Sequence, residues 1–339
     1  MFIILIGFSI AAKYVVINFV SMYSYYEYYT EFSSYVSNNM LVTILNMMER
    51  MMPVALSLFL ACFPSKNRLK LPIILYVFYL LISLGTQARS TAMLGFLFLL
   101  IYFLFRHSIN PEEHWFNKRL IFVLIISVPV LVITGSLINE LRSGGENTKS
   151  IATLFVDFFY DQGVTSNVVK RAYMYKNRLN GDILYTFEFL RSGIFARIFG
   201  YKVYYGNSLE HALRGGSFAH SIAYIVLGKG YLDGQGTGSS YVAEFYQDYG
   251  YWGVVAGTAI YVLLISRIAN PYRINENIWI RTIQLLLIQR IMWAPRGSFA
   301  DIIATVFSVP VVFTMVAAWI ILRGARYKNR YKHNRVTLQ

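Results

Sequence analysis

Long apolar runs separated by short polar segments recur along this chain of 339 residues. A helix needs about 20 mostly apolar residues to cross a hydrocarbon core about 30 Å thick. Eight runs fit that reading, three of them short: Phe2–Val20, Leu41–Phe63, Leu71–Leu84, Thr91–Phe105, Leu120–Ile138, Tyr251–Ile268, Ile278–Met292 and Ile302–Leu322. Backbone polar groups in lipid must be bonded within their own segment. The predicted fold class is therefore an all-α polytopic membrane protein with about eight or more transmembrane helices.

One long segment, Asn139–Gly250, interrupts this rhythm. It has a polar start (Arg142–Lys149), an amphipathic stretch (Ile151–Tyr160) and later a run rich in glycine and serine. It is too apolar for a linker, and these side chains are expected to be buried: Phe158, Phe159, Tyr185, Phe187, Phe189, Phe195 and Phe199. We expect short helices lying on the outer face of the bilayer. Long segments of this kind are usually functional.

The pattern predicts four regions along the chain. Residues 1–138 form an N-terminal transmembrane bundle of about five spans, and residues 139–250 form the large outer loop. Residues 251–322 form a C-terminal bundle of about three spans, and residues 323–339 form a basic tail.

The distribution of Lys and Arg predicts the orientation of the spans. With the N-terminus inside, the inner segments hold most of these residues: Lys66, Arg68, Lys70, Arg106, Lys118, Arg119, Arg267, Arg273, Arg281 and the tail from Arg323 to Arg335. The short outer loops hold only Arg89 and Arg296. This bias follows the positive-inside rule and predicts that both termini are cytoplasmic.

Composition supports a bilayer as the solvent. The chain is 56% hydrophobic and 14% charged, whereas soluble domains carry about 25% charged residues. Cys62 is the single cysteine, so no intramolecular disulfide is possible. The net charge of +14 suggests a nucleic-acid partner at first, but its distribution is explained by topology. We therefore expect no nucleic acid and read the tail as an anchor near anionic lipid.

The two outer arginines are the first candidate site residues. Arg89 lies between the third and fourth predicted spans, and Arg296 lies between the seventh and eighth. Either side chain can simply extend to lipid headgroups. A guanidinium also binds phosphate through two hydrogen bonds. Because each of two outer hairpins carries an arginine, phosphate binding is slightly favoured.

The long loop offers an arginine and a histidine in Arg214–His220. An imidazole titrates near pH 6.5 and can act as a general base, although a single histidine is more often structural. His211 stands in no ligand pattern, and no Cys or His has metal-site spacing. We therefore expect no metal and no cofactor.

A glycine-rich run, Gly234–Ser240, precedes the sixth predicted span. It superficially resembles a nucleotide loop, but the required strand and βαβ unit are not recognisable. Glycine also permits tight turns, and Ser239 or Ser240 can cap the next helix. Glu244 and Asp248 are four residues apart and share a helix face, either for acid–base work or for holding an arginine. The nearby aromatic residues suit an interfacial belt or a platform for sugar rings: Tyr246, Tyr249, Tyr251 and Trp252.

The stretch from Ser217 to Gly253 resembles Wzy-type O-antigen polymerases. The resemblance lies in the Gly-x-Gly-x-x-Ser-Ser run, Glu244, Tyr246 and the pair Gly250 and Gly253, together with two arginine-bearing outer hairpins. The layout is similar over nearly the whole chain, and the local motifs cover about a fifth of it. Eight spans are fewer than many family members show.

The resemblance implies a GT-C-like glycosyltransferase of a Gram-negative inner membrane that acts in lipopolysaccharide biosynthesis. It would transfer a growing glycan from undecaprenyl pyrophosphate to a lipid-linked repeat unit at the periplasmic face. A chain-length regulator is the usual partner of such enzymes. The expected pyrophosphate-binding residues are Arg89, Arg214 and Arg296, and the expected base is His220 or Glu244. The expected glycan-binding residues are Gly236, Gly238, Ser239, Ser240, Tyr241, Tyr246 and Asp248.

Three alternatives remain open: an O-antigen ligase, a lipid-linked sugar transporter and a structural scaffold. An O-antigen ligase shares the layout and the lipid donor but uses lipid A core as acceptor. A lipid-linked sugar transporter belongs to another class, and the lack of a recognisable internal repeat counts against it.

Overall fold

The computed structural model describes residues 1–116, 122, 129–130, 132–138, 150–270 and 276–336. The described residues form helices and loops, with no strand among them. The all-α prediction is therefore confirmed for this part of the chain. The polar segment Arg142–Lys149, most of Leu120–Ile138, and Lys118, Arg119 and Arg273 lie outside the described residues.

The helices are numbered here in chain order. The long ones are α1 Phe2–Met22, α4 Met40–Ala61, α5 Lys66–Leu84, α6 Arg89–Ile109, α13 Tyr241–Ile268, α14 Ile278–Trp293 and α16 Val309–Val336. The shorter ones are α2 Glu27–Thr30, α3 Phe32–Ser37, α7 Ile151–Gln162, α8 Val164–Met174, α9 Gly193–Phe199, α10 Leu209–Arg214, α11 Phe218–Leu227, α12 Lys229–Leu232 and α15 Ala300–Val306. Short 3-10 helices cover Pro111–Glu113, Lys176–Arg178, Tyr185–Arg191 and Ala294–Arg296.

Six segments of the described chain are long and apolar enough to cross a membrane. They correspond to the first four, the sixth and the eighth of the predicted spans, and the last of them, Ala300–Gly324, combines α15 with most of α16. The seventh predicted span is a helix, α14, but its 16 residues fall short of the length that a perpendicular span needs. The described residues thus support six of the eight or more transmembrane helices that the sequence predicts.

Helix α13 begins ten residues before the predicted sixth span and turns sharply inside. Gly250 has φ 64° and ψ −150°, a backbone conformation that side-chain-bearing residues adopt only at a cost. The predicted boundary at residue 250 therefore falls on a kink within one continuous helical segment. This kink lets the first half of α13 pack with the outer helices while the second half continues as the apolar span.

The core of the bundle joins α1, α4, α5, α6 and α14. Its fully buried side chains include Ile6, Met52, Leu56, Leu80, Tyr102 and Leu285. Gly95 of α6 lies against Leu80 of α5, where an added Cβ would come within 2.3 Å of a leucine methyl. Small residues of this kind let membrane helices pack closely, because van der Waals contact rather than water exclusion holds them together.

Cations from three separate segments of the chain meet at one end of this bundle. Arg106 donates to the Pro64 carbonyl at 3.1 Å and pairs with Glu113 at 2.9 Å. Arg281 donates to the Ala61 carbonyl at 2.7 Å, and Lys66 bonds to the Glu113 carbonyl. The helix ends that the charge pattern assigns to one side of the membrane therefore lie together.

The long predicted loop is built of short helices with a core of their own. Residues from α8, the 3-10 helix Tyr185–Arg191, α11 and the start of α13 share one apolar cluster, which includes Val168, Tyr185, Phe218, Ile222 and Ala243. The helical prediction for Ile151–Tyr160 is confirmed by α7. The expected burial of the loop's aromatic residues is correct for Tyr185 and wrong for Phe159, Phe187 and Phe199, which are exposed. Exposed rings suit contact with lipid.

Candidate functional site

Two of the three arginines predicted to bind pyrophosphate line one cavity. Arg89 is the first residue of α6 and Arg296 follows α14, yet both border a space of about 340 Å³. The opposite wall is the glycine-rich run from Gly236 to Ser239, and Trp293 also lines it. We call this space the arginine cavity. Two residues separated by more than two hundred positions thus face the loop that the sequence singled out.

Each guanidinium in the arginine cavity is held in place by its surroundings. Arg89 Nη1 donates to the Gly135 carbonyl at 2.8 Å, and its guanidinium lies 6.0 Å from the Phe158 ring centre. The Arg296 guanidinium lies 5.7 Å from the ring centre of Trp293. Both side chains are half-buried. Held guanidiniums lose little freedom when they bind an oxyanion.

The N-terminus of α6 adds to this positive environment. Ala88, Arg89 and Ser90 line the cavity, and the N-cap residue Ala88 provides no side-chain cap. The first amide N–H groups of a helix have no partner within the helix, and they carry partial positive charge. Such a terminus beside two arginines favours an anionic group, and phosphate in particular.

A second space of about 500 Å³ adjoins the first. His220, Tyr231 and Asn207 line it, and we call it the histidine cavity. Both cavities share four wall residues: Tyr25, Tyr29, Gly236 and Gly238. The shared walls place the two spaces side by side around the glycine-rich run.

The glycine-rich run lies against the segment that joins α1 to α2. Gly234 has φ 97°, and a Cβ there would lie 2.2 Å from the Tyr26 carbonyl oxygen. Only glycine fits this approach, since it lacks a side chain and tolerates positive φ. Gly234 therefore serves a tight turn and close packing, whereas an added Cβ at Gly236 or Gly238 would meet nothing within 4 Å.

His220 is held in one orientation by its neighbours. Its ring stacks on His211 with 3.6 Å between ring centres, and its Nδ1 lies 2.9 Å from the Tyr231 hydroxyl. Tyr231 has a single hydroxyl hydrogen, which points to the Ser208 carbonyl at 3.2 Å. Nδ1 of His220 must then donate to the tyrosine oxygen, which leaves Nε2 as a hydrogen-bond acceptor.

The charge state of His220 follows from its burial. Desolvation, and then the adjacent His211, lower the pKa of His220 to about 3. The imidazole is therefore neutral throughout the physiological pH range. A neutral imidazole beside a cavity accepts a hydrogen bond from a hydroxyl group, whereas a protonated one cannot.

Glu244 is fully buried and joins two walls of the arginine cavity. Its Oε1 accepts from the Ser239 hydroxyl at 2.7 Å, and its Oε2 accepts from the Phe299 amide at 2.9 Å. Ser239 is the next-to-last residue of the glycine-rich run, and Phe299 follows the Arg296 hairpin. This arrangement suits a positioning residue, because the carboxylate has no exposed surface with which to meet a substrate.

Glu188 is a functional candidate that the sequence reading missed. It lies in the 3-10 helix Tyr185–Arg191, and its Oε2 accepts from the Ser298 hydroxyl at 3.3 Å. Burial, followed by the charge of Asp301, raises the pKa of Glu188 to about 7. The side chain thus approaches the same hairpin that Glu244 holds. No local motif marks it, since its partners Ser217, Ser298 and Asp301 lie on other segments of the chain.

Glu188 predicts a pH dependence of stability. Its folded pKa of about 7 exceeds the ordinary 4.5, so the folded chain holds a proton that the unfolded chain releases. The stability that this proton contributes is fully present below pH 4.5 and is lost as the pH rises to about 7. The total loss in the free energy of unfolding is about 3 kcal/mol. We expect Glu188→Gln to gain thermal stability relative to wild type across this window.

The measurement is thermal unfolding of both proteins in detergent between pH 4.5 and 8. The lowered pKa of His220 acts in the opposite direction, since stability is lost as pH falls below 6.5. Comparison with Glu188→Gln cancels that contribution because the histidine is present in both proteins. Parallel pH profiles for the two proteins would refute the assignment.

Asp248, a predicted glycan-binding residue, has a structural partner. Its carboxylate accepts from the amides of Tyr185 and Thr186 at 3.1 and 2.8 Å, and from the Thr186 hydroxyl at 2.7 Å. It therefore holds the start of the 3-10 helix that carries Glu188. The shared helix face of Glu244 and Asp248 is real, but both face protein rather than the two cavities.

The other predicted residues fall into two groups. Gly236, Gly238 and Ser239 line the arginine cavity. Ser240 is the N-cap of α13 without a side-chain capping bond, Tyr241 stacks on Tyr261 at 4.6 Å, and Tyr246 belongs to the outer apolar cluster. These last three pack within the protein.

Arg214 stands apart from the other two predicted arginines. It ends α10 with an exposed side chain, and its carbonyl accepts a bond from Arg191 at 3.4 Å. It borders neither the arginine cavity nor the histidine cavity in the described part of the chain. The expectation that three arginines form one phosphate site is thus supported by position for Arg89 and Arg296 alone.

Tyr25, Tyr26 and Tyr29 were not predicted as site residues, although they line the cavities. The signal was present in the segment Tyr23–Tyr29, where five of seven residues are tyrosine. Hydroxyl-bearing rings that face a polar cavity provide both hydrogen bonds and stacking surfaces. Sugars present the same combination of hydroxyl groups and apolar ring faces.

The fold and cavities define a class: a helical multi-pass membrane protein with a cation-lined site where several spans end. A family model described as O-antigen polysaccharide polymerase Wzy matches residues 1–329. The chain therefore belongs to the Wzy family of O-antigen polysaccharide polymerases, as the sequence resemblance predicted. No curated protein and no solved structure matches it. Membership in this family assigns the chain to O-antigen polysaccharide synthesis.

Proposed function

We propose that this protein is an O-antigen polymerase that transfers a growing glycan from undecaprenyl pyrophosphate to a lipid-linked repeat unit. The observation that carries the proposal is the arginine cavity, where Arg89 and Arg296 face the glycine-rich run. The donor pyrophosphate lies between the two guanidiniums. The tyrosine-lined histidine cavity beside it holds the sugars.

The reaction exchanges one bond to the donor sugar for another. The acceptor hydroxyl oxygen attacks C1 of the donor sugar, and the bond from C1 to the phosphate oxygen breaks. Undecaprenyl pyrophosphate leaves with an added negative charge, which Arg89, Arg296 and the N-terminus of α6 stabilise. The hydroxyl proton passes to Nε2 of His220 and then to solvent.

Donor binding activates the histidine in this scheme. Burial and the adjacent His211 lower the pKa of His220 to about 3, which makes it a poor base but leaves it able to accept a hydrogen bond. A pyrophosphate in the adjoining cavity raises that pKa, because a nearby anion favours imidazolium. Proton transfer then proceeds only when the donor is bound. Glu244, expected from the sequence as an alternative base, acts in this scheme by joining the cavity walls.

The remaining features of the proposal concern placement in the cell. Both termini are cytoplasmic, and the site faces the periplasm of a Gram-negative inner membrane. The cations that gather around Arg106 and Arg281 at the opposite end of the bundle support this orientation through the positive-inside rule. The layout of two transmembrane bundles around a periplasmic loop, the GT-C-like architecture and a chain-length regulator as partner belong to the same proposal.

The experiment is complementation of a strain that lacks its polymerase and makes the matching repeat unit. We expect plasmid-borne wild-type protein to restore the ladder of long O-antigen chains on a lipopolysaccharide gel. Without it, single repeat units remain attached to core. Restoration of attachment in a ligase-null strain, with no ladder in the polymerase-null strain, would instead identify a ligase. Accumulation of substrate on the inner face in the null strain would identify a transporter.

A further inference from the structure

A third cavity lies inside the helix bundle. It measures about 510 Å³, and α1, α4, α14 and the segment from Asp301 to Val311 form its walls. Its charged lining residues are Lys13, Glu49, Arg50, Arg290 and Asp301. We call this space the bundle cavity. Lys13 lies about 15 Å from either end of α1 at 1.5 Å per residue, so the cavity reaches about mid-membrane depth.

The charges of the bundle cavity do not cancel. Lys13 and Glu49 form an ion pair at 2.7 Å, and the Tyr79 hydroxyl donates to the same carboxylate at 3.1 Å. These contacts join α1, α4 and α5. Arg50, Arg290 and Asp301 remain, which leaves one cation in excess.

The two arginines of the bundle cavity face only one remaining carboxylate, Asp301, which interacts electrostatically with Arg290. Arg50 and Arg290 have exposed side chains that border the cavity. In the described part of the chain, neither has a carboxylate within salt-bridge distance. An ionisable group at membrane depth is costly and is retained where a function requires it. A pair of guanidiniums in a partly apolar space favours an oxyanion that accepts several hydrogen bonds.

The apolar lining of the bundle cavity indicates what accompanies the anion. Val16, Leu45, Val54, Leu286 and Val311 border the same space as the arginines. A free inorganic anion gains nothing from such side chains, whereas a hydrocarbon chain attached to a phosphate does. The cavity therefore has the chemistry of a lipid headgroup site.

We propose that the bundle cavity binds the phosphate headgroup of a second polyprenyl-linked substrate, with Arg50 and Arg290 as its anion ligands. This inference rests on the proposed function, since a polymerase must hold two lipid carriers at once, one that leaves and one that keeps its glycan. The two sites are adjacent along the chain. Arg290 and Asp301 border the bundle cavity. Trp293 and Arg296, which lie between them in the sequence, border the arginine cavity.

The test measures binding stoichiometry with the purified full-length protein in detergent. The probes are farnesyl pyrophosphate, inorganic pyrophosphate and farnesol, and the readout is native mass spectrometry with calorimetry. We expect two equivalents of farnesyl pyrophosphate on the wild type. The double variant R50Q/R290Q should bind one equivalent, with the second weakened at least about tenfold. The double variant R89Q/R296Q should lose the other equivalent and keep this one.

Controls separate a lost ligand from a lost fold. R68Q removes an exposed arginine outside the three cavities and should bind two equivalents. R50K/R290K keeps both charges but loses the two-pronged geometry, so it should recover part of the binding. A thermal unfolding profile accompanies each variant. One equivalent on the wild type, or two on R50Q/R290Q, overturns the proposal. Equally tight binding of inorganic pyrophosphate overturns the lipid source.

The binding result is independent of the polymerase assignment. Two equivalents with no ladder in the complementation experiment would leave the site and remove the proposed function. A ladder together with one bound equivalent would keep the proposed function and remove the second lipid site.

Discussion

Replacement of Arg296 by glutamine is expected to lower polymer formation by at least about 100-fold, because one donor to the developing pyrophosphate charge is lost. Glutamine keeps much of the length of the side chain but removes the charge. The measurement is the length distribution of O-antigen on a lipopolysaccharide gel from the complemented null strain, with membrane protein level quantified in the same cells. Arg89→Gln is expected to act in the same direction.

Three comparisons make the Arg296 prediction specific. Arg296→Lys keeps the charge and loses the two-pronged geometry, so an intermediate ladder is expected. Arg68→Gln removes an exposed arginine of α5 and should leave the ladder unchanged. Arg214→Gln should also leave it unchanged, because that side chain lies outside both cavities. A normal ladder from both Arg89→Gln and Arg296→Gln would rule out the phosphate site.

Glu244→Ala should lower the free energy of unfolding by about 3 kcal/mol, because two buried donors lose their acceptor. These donors are the Ser239 hydroxyl and the Phe299 amide. The ladder should be lost together with the stability, since both walls of the arginine cavity depend on this carboxylate. Thermal unfolding in detergent and the gel assay give the two quantities.

The matched variants for Glu244 distinguish a positioning role from a catalytic one. Glu244→Gln keeps a carbonyl acceptor and nearly the same shape, so it should retain much of the stability and a measurable ladder. Asp233→Ala removes an exposed carboxylate and should change neither. Full stability of Glu244→Gln with complete loss of polymer would show that this carboxylate takes part in proton transfer.

Hydropathy alone determined the fold class and most of the spans. Six predicted runs became membrane-length helices because about 20 consecutive apolar residues have few options in lipid other than a helix. The same local rule could not place the start of α13. Its first turns, from Tyr241 to Gly250, carry Glu244 and Asp248 and follow no continuous apolar run. Partners far away in the sequence stabilise them.

The sequence also predicted the family, and it singled out two arginines that line one cavity. The glycine-rich run and the outer hairpins carry their signal locally, because backbone freedom and a cation on the outer side are properties of single positions. Arg214 satisfied the same criteria of residue type and loop position. Only its exposed place at the end of α10 separated it from Arg89 and Arg296.

Tertiary structure alone decided which groups meet. Glu188 approaches the Arg296 hairpin. Tyr25 and Tyr29 line both the arginine cavity and the histidine cavity. Arg50 and Arg290 border the bundle cavity. Each of these relations joins helices distant in the chain. Periodicity and spacing report which face a residue occupies on its own helix, but not which other helix packs against that face. The physical reason is that helix packing in a bilayer is chosen by shape and by polar contacts between segments.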